Sequence, residues 1–157
     1  ALSAPLFQMS DDHCVIAGFN AAAVEKYVFS QNNTAALTLV ASIRINYAGA
    51  PDALWQDDTA ALVNIASSTS CIGANTVATA VKIGNAKRLR VNGVQKGATN
   101  NTVLGATTLN NYAIGSYTTG GYFQGSIYPI IAIKGTVSDS DLLTLERFVG
   151  QLSGVSL

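Results

Sequence analysis

The run Thr38-Leu39-Val40-Ala41-Ser42-Ile43-Arg44-Ile45 alternates with period two. Thr38, Ser42 and Arg44 share one parity, and Leu39, Ala41, Ile43 and Ile45 share the other. That is the signature of a strand with one wet face and one dry face, since successive side chains point to opposite sides of a sheet. The same signal, or a short apolar run bounded by Gly, Asn and Ser, recurs along the chain. It predicts strands at Leu6 to Ser10, His13 to Ala17, Glu25 to Ser30, Ala36 to Ile45, Ala61 to Ser67 and Thr76 to Ile83. Further strands are predicted at Arg88 to Val91, Val94 to Lys96, Tyr112 to Ser116 and Tyr122 to Ile133. Many short strands separated by turn signals imply a sandwich of two antiparallel sheets. At 157 residues the chain suits a single domain, 1–157.

One hairpin and one helix stand out. Asn92-Gly93 lies between two alternating runs, and this dipeptide accepts the positive φ angles of a type I′ turn. The basic residues around it, Lys87, Arg88, Arg90 and Lys96, are expected to be solvated strand positions that keep the sheet from sticking to others. At the C-terminus the period changes. Ser138 is a good N-cap, Asp139 and Asp141 suit the positive helix end, and Gly154 suits the stop. Leu142, Leu145, Val149 and Leu152, with Phe148 beside them, predict an amphipathic helix over about 138–152. Its natural support is the strand Ile127 to Ile133.

Composition then removes several functions. Only 11% of residues are charged, and nine basic residues balance nine acidic ones. Nucleic acid needs a clustered basic face, so it is not an expected partner. The longest apolar stretches are too short for a helical membrane span, and membrane insertion is not expected. Cys14, Cys71 and the single histidine, His13, cannot build the usual zinc site. The cysteines read as buried free thiols in preference to a disulfide. No Gly-x-Ser-x-Gly elbow is present for a serine triad.

The last roughly 75 residues resemble a known fold family. Leu89-Arg90-Val91-Asn92-Gly93-Val94 is similar to a strand, Asn-Gly, strand element. Tyr112-Ala113-Ile114-Gly115-Ser116 is similar to a strand ending in Ile-Gly. Tyr122-Phe123-Gln124-Gly125-Ser126-Ile127 followed by Val137-Ser138-Asp139-Ser140-Asp141 resembles a Phe-x-Gly-x-Ile strand that leads into a short helix. In this order they resemble the concanavalin A-like lectin/glucanase superfamily, in the laminin-G-like form found in bacteriophage tail and virion proteins. The resemblance implies an all-β, two-sheet antiparallel jelly-roll sandwich with a short C-terminal α-helix. It also implies a place in the virion or outside the cell.

Glycosidases of that fold use clustered carboxylates on one strand, because acid and base roles need two of them beside the glycosidic bond. This chain has only Glu25 and Glu146, with no acidic cluster on a strand. An enzyme is therefore not expected, and a non-catalytic carbohydrate- or receptor-binding module of a phage tail fibre is. The alternative is a structural domain that decorates the virion without a ligand of its own. Sugar sites pair aromatic rings with short polar groups. The loop Ala50 to Asp58 brings Trp55 together with Asp52, Gln56, Asp57 and Asp58, and the loop Ser116 to Tyr122 adds Tyr117 and Tyr122. These are the candidate ligand-binding residues, with a core or lid position as the competing reading for Trp55. Asp57 and Asp58 are also weak candidates for calcium, against a solvated turn. No other cofactor is expected. The expected partners are a cell-surface glycan or receptor and other virion subunits, a fibre module being expected to form a homotrimer.

Overall fold

The computed structural model describes residues 5–33, 39–117 and 120–157. Ten strands and one helix follow in order: β1 (His13–Ala21), β2 (Lys26–Asn32), β3 (Leu39–Ile45), β4 (Pro51–Gln56), β5 (Leu62–Ala66), β6 (Asn75–Ile83), β7 (Ala86–Val91), β8 (Val94–Asn100), β9 (Asn111–Ile114), β10 (Gly125–Lys134) and α1 (Asp139–Ser153). They form two five-stranded antiparallel sheets, ordered β10-β1-β6-β7-β8 and β5-β4-β3-β2-β9. The sandwich expected from the alternation is the fold observed.

Parity explains where each residue goes. On β1, Val15, Ala17 and Phe19 face the second sheet; Ile43 and Ile45 of β3 and Ala53 and Trp55 of β4 meet them there. Cys14 and Ile16, of the other parity, face outward to Val77 and Val81 of β6 and to Leu142 and Val149 of α1. The helix thus covers the first sheet across β10, β1 and β6, a broader seat than the single strand expected. Ser138 caps it by accepting the Asp141 N–H at 3.1 Å, and Gly154 closes it at φ 70°. The buried side of α1 is Leu142, Glu146, Val149, Gly150 and Ser153, whereas Phe148 and Leu152 of the expected stripe are exposed.

Glu146 is buried because Arg90 of β7 reaches it with two bonds, Nε at 2.9 Å and Nη2 at 3.0 Å. Arg88 pairs with Asp139 at 3.1 Å. The expectation that the β7 cations are merely solvated is therefore corrected. Arg88 and Arg90 leave the outer face of β7 and tie the sheet to the helix, while Lys87, of the other parity, is itself buried.

Two further expectations change. Leu6 to Ser10 is not a strand, because a side chain replaces the ladder. The Gln31 amide oxygen accepts from Leu6 N at 2.6 Å and Phe7 N at 3.3 Å, and its NH₂ donates to the Phe7 carbonyl at 2.5 Å. Conversely, residues 51–56 of the expected Trp55 loop are strand β4, with Ala53 and Trp55 turned to the core. The Asn92-Gly93 turn adopts the expected positive φ angles, 49° and 75°. Residues 36–38 of the expected strand Ala36 to Ile45 and Thr118 and Thr119 of the tyrosine loop lie outside the described residues. Both cysteines are buried free thiols, and burial pushes Cys14 up to about 12 and Cys71 to about 11, so neither is a nucleophile at neutral pH.

Candidate functional site

The β3–β4 hairpin aligns one charged pair on the face of the second sheet turned away from the core. Asn46 Oδ1 organises the turn by accepting from Ala48 N at 2.9 Å and Ala50 N at 3.1 Å. This sets Arg44 opposite Asp52. Arg44 Nη2 donates to Asp52 Oδ2 at 2.7 Å and Nε to Oδ1 at 3.3 Å, the fork of a charge-assisted pair. Asn64 of β5 donates to Asp52 Oδ2 at 3.5 Å. Asp52 is fully buried, while a quarter of the Arg44 side chain (25%) remains exposed. Burial pushes the Asp52 carboxyl up and the guanidinium pulls it back down; the Asp52 carboxylate in turn raises Arg44.

Two aromatic rings complete the cluster. Tyr27 of β2 sits opposite Arg44 in register, with the guanidinium carbon 5.9 Å from its ring centre. Tyr117 stacks on Tyr27 at 4.9 Å and 24°. Tyr117 is displayed by a tight turn, in which Tyr117 N donates to Gly120 O at 2.9 Å and Gly120 N to Tyr117 O at 2.8 Å. The turn is anchored to β2 by Tyr27 N donating to Gly121 O at 3.2 Å. Gly121 is required there twice over: its φ is +62°, and a Cβ would stand 3.2 Å from the Tyr27 ring. Burial raises both tyrosines, which keeps their hydroxyls protonated at neutral pH. The same face carries Ser42 Oγ, Asn32 Oδ1 and Asn111 Oδ1, buried without a hydrogen-bond partner among the described residues. Those three atoms are covered; the two half-buried rings, the forked cation and the exposed Asn64 amide can stack on and hydrogen-bond a polyhydroxylated molecule.

The sequence-predicted residues divide between several places. Asp52 and Tyr117 meet here through Arg44 and Tyr27. Gln56 lies on the same face of β4, half-buried, and Tyr122 stands beyond Gly121, exposed. Trp55 is elsewhere. Its ring is fully buried between the sheets, with Nε1 donating to His13 Nε2 at 3.2 Å, so it presents no face to solvent. Asp57 and Asp58 secure a distant loop. Asp57 Oδ1 accepts from Thr59 N at 2.9 Å, Thr59 Oγ1 at 2.7 Å and Ala61 N at 3.0 Å, and Oδ2 accepts from Gly105 N at 2.7 Å. The Gly105 N–H above all holds the Asp57 carboxyl below its ordinary value. Asp58 accepts from Thr108 N at 3.0 Å and Thr108 Oγ1 at 2.7 Å. These carboxylate oxygens are occupied by the chain's own donors. No group of three or more His, Cys, Asp or Glu side chains among the described residues is arranged to hold a metal ion.

Tyr27, Arg44 and Asn64 are not among the residues that the sequence singles out. The signal for Arg44 was present in its wet parity and in the turn Asn46 to Ala50, which together place it opposite Asp52.

No protein-family model matches the chain, and no curated protein sequence matches it. Solved structures do match. The binding domain of botulinum neurotoxin serotype G gives a TM-score of 0.72 at 10% identity, covering 90% of this chain and 37% of that one. The CBM40 of Ruminococcus gnavus IT-sialidase, solved bound to α2,3 sialyllactose, gives 0.70 at 14% identity, covering 87% and 83%. The SAP-like pentraxin of Limulus polyphemus gives 0.63 at 14% identity, covering 90% and 73%. The chain therefore spans little more than a third of the botulinum chain and most of the other two. At these identities the likeness is one of fold, and the fold is the jelly-roll sandwich.

Proposed function

We propose that this chain is a non-catalytic carbohydrate- or receptor-binding module whose ligand docks on the Tyr27, Tyr117 and Arg44 face. The observation that carries the reading is the stacked tyrosine pair beside the Arg44–Asp52 fork. A sugar ring would lie against Tyr117, and Arg44 and Asn64 would hydrogen-bond its hydroxyls. Gln56 and Tyr122 stand at the margins. The sialyllactose-bound CBM40 and an arabinanase domain solved with arabinotriose are fold neighbours, which supports a glycan as the ligand class. The chain's two glutamates do not support glycoside cleavage, since Glu146 is locked to Arg90 beneath the helix and Glu25 lies in the turn between β1 and β2.

The setting we infer is a phage tail fibre or related virion protein, in contact with other virion subunits. It rests on the resemblance of the Val137 to Asp141 segment and its helix to the ends of such domains. A glycan array with the wild type, Tyr117→Ala and Trp55→Phe tests the binding reading. For uncharged glycans, binding by the wild type and Trp55→Phe, lost in Tyr117→Ala, is the expected pattern. A blank array for the wild type rejects the glycan reading.

A further inference from the structure

One row of side chains crosses the first sheet near its end. The register places Lys134, His13, Lys82, Lys87 and Asn100 side by side on β10, β1, β6, β7 and β8. Lys82 and Lys87 therefore oppose each other directly across two strands, a like-charge pairing that destabilises a sheet. Both are buried as well, with 5% and 1% of their surface exposed.

Neither ammonium has a carboxylate within ion-pair distance among the described residues. Lys82 Nζ donates to the Asp11 carbonyl at 3.1 Å. Lys87 Nζ donates to the carbonyls of Asn85 at 3.2 Å and Thr102 at 2.8 Å. The nearby acids are engaged elsewhere. The Asp11 carboxylate takes the Gln8 N–H at 2.7 Å and pairs with Lys134 at 3.0 Å. The Asp12 carboxylate takes the Gly84 N–H at 2.7 Å and the Thr136 hydroxyl at 2.9 Å. Burial lowers both lysines, with Asp12 and Asp11 pulling Lys82 back up and Lys82 pushing Lys87 further down. A buried cation without a counter-charge is costly, and here two share one wall.

That wall borders a cleft of about 770 Å³, whose other sides are Gln8 to Ser10 and residues 104–109. The Asp57 and Asp58 bonds described above hold the second of these loops in place. The volume suits a small organic molecule and exceeds what a single inorganic ion needs. An ammonium carries three N–H donors, so among the described residues the bonds above leave two on Lys82 and one on Lys87. Around them stand short hydroxyl and amide side chains, including Ser10, Asn85, Thr107 and Thr108, over an apolar floor of Met9 and Leu109.

We propose that this cleft is a second binding site, separate from the tyrosine face, for a sugar that carries a carboxylate. The carboxylate takes the place of the missing counter-charge between Lys82 and Lys87, and the hydroxyls run along Thr107 and Ser10. Calorimetric titration with sodium glucuronate, glucose and inorganic phosphate tests it on the wild type, Lys82→Gln and Tyr117→Ala. Glucuronate is expected to bind at least tenfold more tightly than glucose or phosphate. Lys82→Gln is expected to lose at least tenfold, and Tyr117→Ala to lose nothing, which separates this site from the one proposed above. Affinity for glucose equal to that for glucuronate overturns the proposal, as does phosphate binding as tightly as glucuronate. Unchanged affinity in a folded Lys82→Gln protein does the same. Should that variant fail to fold, amide shifts on the wild type decide. Glucuronate must shift Lys82, Lys87 and residues 105–109, and shifts confined to other regions overturn the assignment.

Discussion

Acid destabilisation through one buried histidine is the most quantitative consequence of the fold. His13 is fully buried and stacks on Phe7 at 4.3 Å with the rings 4° apart. Its Nε2 accepts the Trp55 indole N–H at 3.2 Å, so the ring proton sits on Nδ1 and is donated to the Asp11 carbonyl at 2.8 Å. A proton added at Nε2 would face a donor, in a site already stripped of water. Burial accordingly depresses His13 from 6.5 to about 4. Above pH 6.5 the ring is neutral in both the folded and the unfolded chain, and nothing is lost. Between 6.5 and about 4 the unfolded chain takes up the proton and the folded chain does not, so stability falls as pH falls. At about 1.36 kcal/mol per pH unit, the full loss across that window is roughly 3 kcal/mol. Below about 4 both states are protonated and this contribution stops changing. Asp11, Asp12 and Asp57, held below 3.8, add their losses at lower pH. Asp52, raised by burial, works in the opposite sense as pH falls toward 3.8, so the variant comparison is needed. The assay is urea unfolding of the wild type and His13→Gln at half-unit steps from pH 7.5 to 4. Because His13 is the only histidine, its ring can also be titrated directly by NMR. A slope that vanishes in His13→Gln is expected. The same slope in both proteins, or a ring that titrates near 6.5 in the folded state, refutes the reasoning.

Three substitutions probe other parts of the structure. Glu146→Ala leaves Arg90 uncompensated and is expected to cost roughly 2–4 kcal/mol in urea unfolding, tempered by the 15% of the Arg90 side chain that still reaches solvent. Gly121→Ala forces a Cβ toward the Tyr27 ring at positive φ; a loss of about 1–2 kcal/mol and weakened glycan binding are expected together, by thermal melt and array. Trp55→Phe removes the donor to His13 and is expected to cost about 1–3 kcal/mol in the same unfolding assay, with glycan binding unchanged.

The sandwich, the Asn92-Gly93 hairpin and the capped helix could be read from the sequence because each rests on local chemistry: parity, positive φ and orphan helix donors. The structure departs from those local signals where a side chain does the work of another element. Gln31 satisfies the backbone at Leu6 and Phe7, so a strand-like segment forms no strand. Glu146 and Arg90 share charge between a helix and a sheet, and no periodicity encodes that partnership across 56 positions. For Trp55 the flanking acids suggest a platform and the competing reading is a core position; strand parity decides for the core, turning it inward and leaving Asp52 and Gln56 outward. The tyrosine stack joins Tyr27 to Tyr117 through long-range backbone bonds of β2 with Gly115 and Gly121, which no local pattern reveals.

Ligand contact is proposed on the outer face of β2 to β5. Amide shift mapping by NMR with the tightest uncharged glycan from the array is the sharpest test of it. Shifts are expected at Tyr27, Arg44, Asp52, Asn64 and Tyr117, with Trp55 and the α1 amides unmoved. Shifts centred on α1, with the tyrosine face silent, would contradict it.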